Sequence, residues 1–262
     1  MTTPGWTDAE AYERYIGRWS APVAERFLAR LALPPGLRWL DVGCGTGVLT
    51  RAVLAAAAPA VITGVDRSAA FVEHARGATG PPAQFHVGDA AALPLPDDAV
   101  DVTVSGLVLN FVSDPAAAMA EAVRVTAPVG TVAAYVWDYS GGMELLRRFW
   151  DAAIAVDPAA SRFDEGIRFP LCRPEPLEIL WTATGLADVA VGEVDVDTVF
   201  ADFDDLWTPF LGAVGPAPSY LAALTPTHQA RLREHLRDSV DPRSDGTVHL
   251  RARAWTVRGR VP

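Results

Sequence analysis

The chain has 262 residues, half of them hydrophobic and 21% charged, with a formal net charge of −10. This is the composition of a globular protein with a sizeable core, and without a Lys/Arg run it argues against DNA or RNA as partner, since polyanions are bound through clustered cations. Every basic side chain is an arginine, which excludes a Schiff-base lysine and an ordinary P-loop.

The two cysteines, Cys44 and Cys172, lie far apart, and no CxxC or Cys/His cluster exists. Neither a disulfide framework nor a zinc site is expected. No apolar run is long enough to cross a bilayer, and the start "MTTPGWTDAE" lacks a basic-then-apolar leader. A cytoplasmic protein without a membrane partner is the expectation.

In chain order, Tyr12, Tyr15, Ile16 and Trp19 fall on one helical face at i, i+3, i+4, i+7. Ser20 reads as the cap of a second helix with Val23, Phe27 and Leu31 as its stripe, closed by "LPPG" at 33–36. Strands are predicted at 38–42, 60–65, 84–88, 100–105 and 129–137, and helices at 47–57, 68–76 and 115–126. Asp114-Pro115 marks the last helix start. Apolar strands alternating with helices predict an α/β fold with a parallel sheet. Beyond 137 the rhythm breaks. Residues 142–156, 175–184 and most of 203–238 read as helix, 187–195 as strand, and 247–258 as a closing strand. One domain with helical insertions is expected over two.

The stretch "LRWLDVGCGTGVLT" (37–50) runs from a strand through Gly43, Gly45 and Gly47 into a helix. Glycine allows positive φ and removes the Cβ that would block a ligand, so this is a nucleotide-binding turn. Its GxGxG spacing, with Asp41 two residues before it, differs from the GxGxxG dinucleotide fingerprint. Asp66 ends "VITGVD", where a carboxylate accepts hydrogen bonds from a ribose diol. Asp89 ends "FHVGD", where one can accept from an adenine amine. Either acid singly also suits a helix cap or a turn.

With "LDVGCGTG", "GVD", "VGDAAALPLPDDAVD", "LVLNFVSDP" and "AEAVRV" in this order, residues 10–137 resemble the class I S-adenosylmethionine (SAM) methyltransferases, in the branch of type 11 small-molecule enzymes. The resemblance implies a Rossmann-like, doubly wound seven-stranded sheet of order 3-2-1-4-5-7-6 with strand 7 antiparallel. It implies SAM as cofactor, S-adenosylhomocysteine as product, and SAM lying across the carboxyl ends of strands 1 to 4. By match, the cofactor residues are Asp41, Gly43, Cys44, Gly45, Gly47, Asp66, Arg67, Asp89, Ala90 and Tyr15. A departure is "TAPVG" at 126–130, where relatives often carry two glycines after the proline. The implied layout is a helical lid at 1–33, a SAM-binding core at 34–137, and helical cap insertions at 138–186 and 196–245, within a single domain spanning 1–262.

Because the sulfonium of SAM brings its own leaving group, no catalytic residue is obligatory. Asn110, just past strand 4, and Asp138, after strand 5, are the candidates; turn-forming and capping are their structural alternatives. Trp137, Tyr139, Trp207 and Phe210, with Asn110, are the expected substrate contacts. No [DN]PP[YFW] stretch appears, the strand-4 exit reading "VSGLVLN" without a metal-binding acid, and neither cysteine follows a proline; these absences point to a metal-free small-molecule enzyme. His228 and His235 read as part of a packing face. The expected function is methyl transfer to a small apolar or aromatic metabolite. Alternatives from other classes are a SAM-binding protein without transfer (a cyclase or regulatory binder) and an NAD-dependent oxidoreductase. The acceptor and the oligomeric state are not legible.

Overall fold

The computed structural model describes residues 16–212 and 215–262. The stripe residues Tyr12 and Tyr15 lie outside this range. Seven strands form one sheet in the order β3-β2-β1-β4-β5-β7-β6, with β7 antiparallel, as the resemblance implied. The chain divides into two compact units.

The first, the sheet unit, comprises 20–136, 171–194 and 254–262. Helix α1 (Ser20–Leu31) starts at Ser20 itself and buries Val23, Phe27 and Leu31. Then follow β1 (Arg38–Val42), α2 (Val48–Ala57), β2 (Val61–Asp66), α3 (Ala69–Ala78), β3 (Ala83–Val87), β4 (Val100–Gly106), α4 (Pro115–Val125) and β5 (Thr126–Trp137). After α5 (Glu144–Val156) and α6 (Glu165–Arg168), which belong to the second unit, this unit resumes with α7 (Pro174–Ala183) and the first part of β6 (Ala187–Phe200), and ends with the last part of β7 (Val248–Arg260).

Strands β1 to β5 pair in parallel. β1 and β2 are buried almost along their whole length, whereas β3, at one edge, is mostly exposed. That contrast follows from parallel pairing, in which helices cover both faces of the central strands. Leu40, Val42, Val65, Leu93, Val100 and Val125 form one core cluster; Cys44, Val72, Ala75 and Phe85 form another. Truncating a fully buried Leu40 to Ala would cost about 2–5 kcal/mol.

β5 begins at Thr126, three residues earlier than the sequence pattern suggests. Val100 faces Thr126 but Val102 faces Thr131, so residues 127–130 bulge out of register. Val129 there has φ +59° and is exposed. A Cβ on Gly130 would meet the Asp101 carbonyl oxygen at 2.7 Å. The departure "TAPVG" therefore places a β-branched residue in a left-handed conformation, next to a position that only glycine fits.

The second, the helical unit, comprises 1–19, 137–170 and 195–253. Residues 17–19 form a single 3-10 turn, in place of the helical continuation that the Tyr/Ile/Trp stripe suggested. The unit contains α5 (Glu144–Val156), α6 (Glu165–Arg168), α8 (Phe203–Trp207), α9 (Pro216–Ala222) and α10 (Pro226–Ser239). On α5, Leu145, Leu146, Phe149, Trp150, Ala152 and Ala153 are buried, the spacing of one wide apolar face. On α10 the buried residues are Leu232 and Leu236, while His228 and His235 are exposed. The histidines thus sit outside the packing face, a correction to the sequence reading; the leucines at i, i+4 suffice for contact. The far part of β6 extends to Phe200, beyond the predicted 195, with Val196, Thr198 and Phe200 buried and their alternates not.

Among the described residues, no helix is long and apolar enough to cross a membrane.

Candidate functional site

The site begins at the end of β1. Gly43, Gly45 and Gly47 all have positive φ, at +74°, +52° and +85°. Their reasons differ. A Cβ on Gly43 would strike the Val108 side chain at 2.4 Å, so Gly43 is needed for packing. Gly47 caps α2 in the left-handed conformation. At Gly45 a Cβ would meet nothing within 4 Å, so the turn there opens onto free space. The turn is pinned by Gly43 N–H and Cys44 N–H, both donating to the Val65 carbonyl, and by Gly47 N–H donating to the Cys44 carbonyl at 2.8 Å.

Two acids flank it. Asp66 accepts from Gly45 N–H at 3.0 Å with one oxygen and from Ser68 N–H at 2.8 Å with the other. This links the glycine turn to the start of α3 and fixes the carboxylate, whose oxygens each retain a lone pair for a further donor. Asp41 is 1% exposed. Its Oδ2 accepts from Thr50 Oγ at 2.6 Å, while Oδ1 is buried without a partner among the described residues. Burial pushes the Asp41 carboxyl up to about 7, the Thr50 bond opposes this, and neighbouring Asp66 adds to it. Cys44 points into the apolar cluster with Phe85, and burial first, then Asp41 and Asp66, raises its thiol. What Cys44 offers a ligand is backbone.

Arg67 is exposed at the end of β2. Asp89 is exposed after β3; its Oδ1 accepts from Ala91 N–H at 2.9 Å. The segment that follows is fastened to α4. Glu121 accepts from Leu93 N–H at 2.8 Å and pairs with Arg124, whose guanidinium also donates to the Leu93 and Leu95 carbonyls and to Asp97. The Arg124 bond holds the Glu121 carboxyl below its ordinary range. Sequence reading missed this clamp, although Glu121 and Arg124 at i, i+3 are a visible helix pair.

Past β4, Asn110 stands in a 3-10 turn, Leu109–Phe111. Both polar atoms of its side-chain amide are buried without a partner among the described residues. Native interiors rarely leave both ends of an amide unpaired. A turn-forming asparagine would bond its own backbone, which the Asn110 side chain does not do among the described residues.

In the helical unit, Asp138 is 5% exposed, and its carboxylate accepts from Ser140 Oγ at 2.8 Å, Gly141 N–H at 3.2 Å and Gly142 N–H at 2.8 Å. These bonds shape the loop after β5 and occupy the group that sequence reading offered as acid or base. Tyr139 is buried with its ring 5.4 Å from Phe169. Trp137 is buried, and its Nε1 has no partner among the described residues. Phe210 stacks on Phe149 at 4.5 Å and 20°, and Trp207 lies 6.1 Å from Phe210. Trp150 and Tyr220 join the same cluster at 5.5 Å.

Nearby, Trp150 Nε1 donates to Glu165 at 2.6 Å, and Arg147 forks onto Asp164 at 2.8 and 3.1 Å. Burial raises the Glu165 carboxyl to about 7, against the Trp150 bond. Tyr15 lies outside the described residues. Among those residues, no group of three or more His, Cys, Asp or Glu could hold a metal ion.

Comparison with known proteins adds to this geometry. A family model for a methyltransferase domain matches residues 40–134. The malonyl-(acyl-carrier protein) O-methyltransferase of Serratia marcescens is 35% identical over 130 residues, 47% of this chain and 50% of the relative. Thus the chain spans about half the length of this and of several other curated relatives it matches. The trans-aconitate 2-methyltransferase of Methylobacterium radiotolerans is 31% identical over 248 residues, 92% of each chain. Haemonchus contortus phosphoethanolamine N-methyltransferase 2, solved in complex with SAM, shares the fold with a TM-score of 0.58 at 16% identity, covering 97% of this chain and 56% of that one. On the near full-length match, the sheet order and the glycine turn, the chain belongs to the class I SAM-dependent methyltransferase family.

Proposed function

We propose that the chain transfers the methyl group of SAM to a small organic acceptor by in-line displacement, without a metal ion. The observation that carries this reading is the glycine turn: pinned on both sides, left-handed at three positions, and open at Gly45 where any ligand must come close. The residues fit the cofactor. Asp41 offers a buried, unpartnered carboxylate oxygen to a cationic amino-acid tail. Asp66 offers fixed lone pairs to a ribose diol, and Asp89 a free oxygen to an adenine amine, with Gly43, Cys44 and Ala90 contributing backbone and Arg67 the rim.

The cofactor supplies an activated methyl on a sulfonium that leaves as a neutral thioether. The chain's task is then alignment and exclusion of water, the largest entropic part of such a reaction. Asn110 is the positioning group for the acceptor, through its two free amide ends. Trp137, Tyr139, Trp207 and Phe210 supply apolar walls. Asp138, held by three donors, shapes the loop that carries Tyr139.

Calorimetry should detect SAM and S-adenosylhomocysteine, and no NAD. NAD binding without SAM binding would overturn the reading. Labelled SAM with a cell extract should yield a labelled small product, unchanged in EDTA. Retention of SAM with no product from any extract would favour a binder that does not transfer.

A further inference from the structure

Residues 93–99, which lead from the loop after β3 into β4, form neither helix nor strand. Segments of this kind are ordinarily the mobile part of a fold. This one is fastened by a single side-chain pair on α4. The Leu93 N–H donates to Glu121 at 2.8 Å. Arg124 Nη2 donates to the Leu93 carbonyl at 3.3 Å, and Nη1 to the Leu95 carbonyl at 2.9 Å and to Asp97 at 2.8 Å. Nε and Nη2 also fork onto Glu121, at 2.6 and 2.7 Å. This engages the whole donor set of a guanidinium. The Asp98 N–H returns to the Arg124 carbonyl at 3.1 Å.

What the pair holds lies against Asp89. Asp89 and Ala92 form an antiparallel bridge; the Ala92 N–H donates to the Asp89 carbonyl at 3.0 Å and the Ala91 N–H to Asp89 Oδ1 at 2.9 Å. Leu93, the next residue, is 5% exposed and sits in the core cluster with Leu40 and Val65, against which Ala90 also packs. Pro94 closes on the other side, where a Cβ on Gly88 would meet its Cδ at 3.0 Å. The stretch fastened by Glu121 and Arg124 thus folds back onto both neighbours of Asp89. Asp89 itself is exposed, with no burial to orient it. Its direction comes from the turn, and the turn is held by the clamp.

We propose that Glu121 and Arg124 are positioning residues for the cofactor's base. They set the Asp89 carboxylate to accept from an exocyclic amine, and so let the chain discriminate adenine from a base without one. Both act through the loop and touch no ligand. An acceptor of fixed direction favours the matched donor and repels a carbonyl in its place; an acceptor free to swing away does neither. This rests on the methyltransferase reading above and on Asp89 as the adenine acceptor.

The test uses the full chain and two nucleosides, S-adenosylhomocysteine and S-inosylhomocysteine, the second carrying a carbonyl where the first has its amine. Calorimetry gives the ratio of their Kd values, and thermal melting checks that each variant is folded. Wild type should prefer the adenosyl compound by roughly tenfold or more, the range for a hydrogen bond to a charged group. Asp89→Asn should remove that preference. Arg124→Gln should lower the ratio by about threefold or more, and Arg124→Lys should not restore it, since one ammonium cannot span both carbonyls. Glu121→Gln, of nearly equal shape, should lower it as well. In the Asp89→Asn background Arg124→Gln should leave the ratio where it is, because the two residues act in series. A merely structural pair would weaken both nucleosides alike. An unchanged ratio in folded Arg124→Gln and Glu121→Gln would therefore overturn the positioning role, as would failure of both variants to fold. Wild type that binds neither nucleoside would instead sink the methyltransferase reading. Binding of both without preference, or a preference indifferent to Asp89→Asn, would remove Asp89 from the base and this inference with it.

Discussion

Among the described residues both units leave buried donors without a partner, and the sheet unit also leaves carboxylate and amide oxygens, those of Asp41 and Asn110. In the sheet unit, the described orphans by the glycine turn are a carboxylate oxygen of Asp41 and the Thr79 hydroxyl, which lies 3.5 Å from where a Cβ on Gly47 would stand. In the helical unit they are the Arg18 and Arg148 guanidinium nitrogens, the Trp137 indole nitrogen, and the Thr198 and Tyr220 hydroxyls. Every one of the latter can donate, whereas the buried acid can accept and attract positive charge. Each orphan costs roughly 1–3 kcal/mol while unpaired. Under the proposed function, the Asp41 oxygen is the one that a cationic cofactor tail would satisfy.

The largest effect expected is on the helical unit's own packing. Phe210 is 1% exposed and stacked on Phe149, so Phe210→Ala should lower unfolding free energy by about 3–5 kcal/mol. Denaturant titration would measure it. If the variant loses acceptor turnover while SAM still binds, the division of labour stands; equal loss of both would break it.

Asp66→Ala should weaken SAM binding by roughly 1.5–3 kcal/mol, the worth of hydrogen bonds to a charged group. A folded variant with an unchanged Kd for SAM would remove Asp66 from the cofactor side.

The next effect is a pH dependence. Burial raises the Asp41 carboxyl to about 7, above the ordinary unfolded value near 4. The folded chain thus binds the proton more tightly, so stability falls as pH rises from about 4 to 7 and levels off above. Glu165, also raised to about 7, acts in the same direction. Asp101 and Glu121, held low by Arg38 and Arg124, lose their contribution only as pH falls below about 4. Between pH 5 and 8 the melting temperature should therefore fall with rising pH, and Asp41→Asn should flatten the slope. SAM, being cationic, favours ionised Asp41, so its affinity should rise several-fold from pH 6 to 8 in wild type and not in Asp41→Asn. A flat affinity profile in wild type would detach Asp41 from the ligand.

The smallest effect lies outside both sites. Val129 sits at φ +59°, which costs a β-branched residue on the order of 1 kcal/mol. Val129→Gly should raise the urea midpoint without changing the slope or the Kd for SAM.

Sequence alone carried the sheet unit far. Local alternation of apolar runs and helices, the three glycines, and Asp41, Asp66 and Asp89 at strand ends are all short-range signals, because each β-loop-α step is built from neighbouring residues. The strand order followed from the resemblance, and the structure returned it. The start of β5 was misread because a bulge keeps its backbone in the sheet while its side chains break the apolar pattern.

In the helical unit the same signals placed the helices at 142–156 and through most of 203–238 and the closing strand, but not the contacts among them. Aromatics at 149, 150, 207, 210 and 220 were visible, but which of them pack on each other depends on contacts 50 or more residues apart. For Asp138 the sequence left a contact role and a capping role open, and the three hydrogen bonds from its own loop are visible only in the fold. Arg18 carried no motif at all; it became distinctive only when β6 brought Phe200 against its guanidinium. The sequence by itself determined the family, the cofactor turn and most strand and helix positions, since those rest on local backbone geometry. Only the tertiary structure decided which polar groups are left unpaired, because hydrogen-bond satisfaction is a property of every neighbour in space and not of residues along the chain.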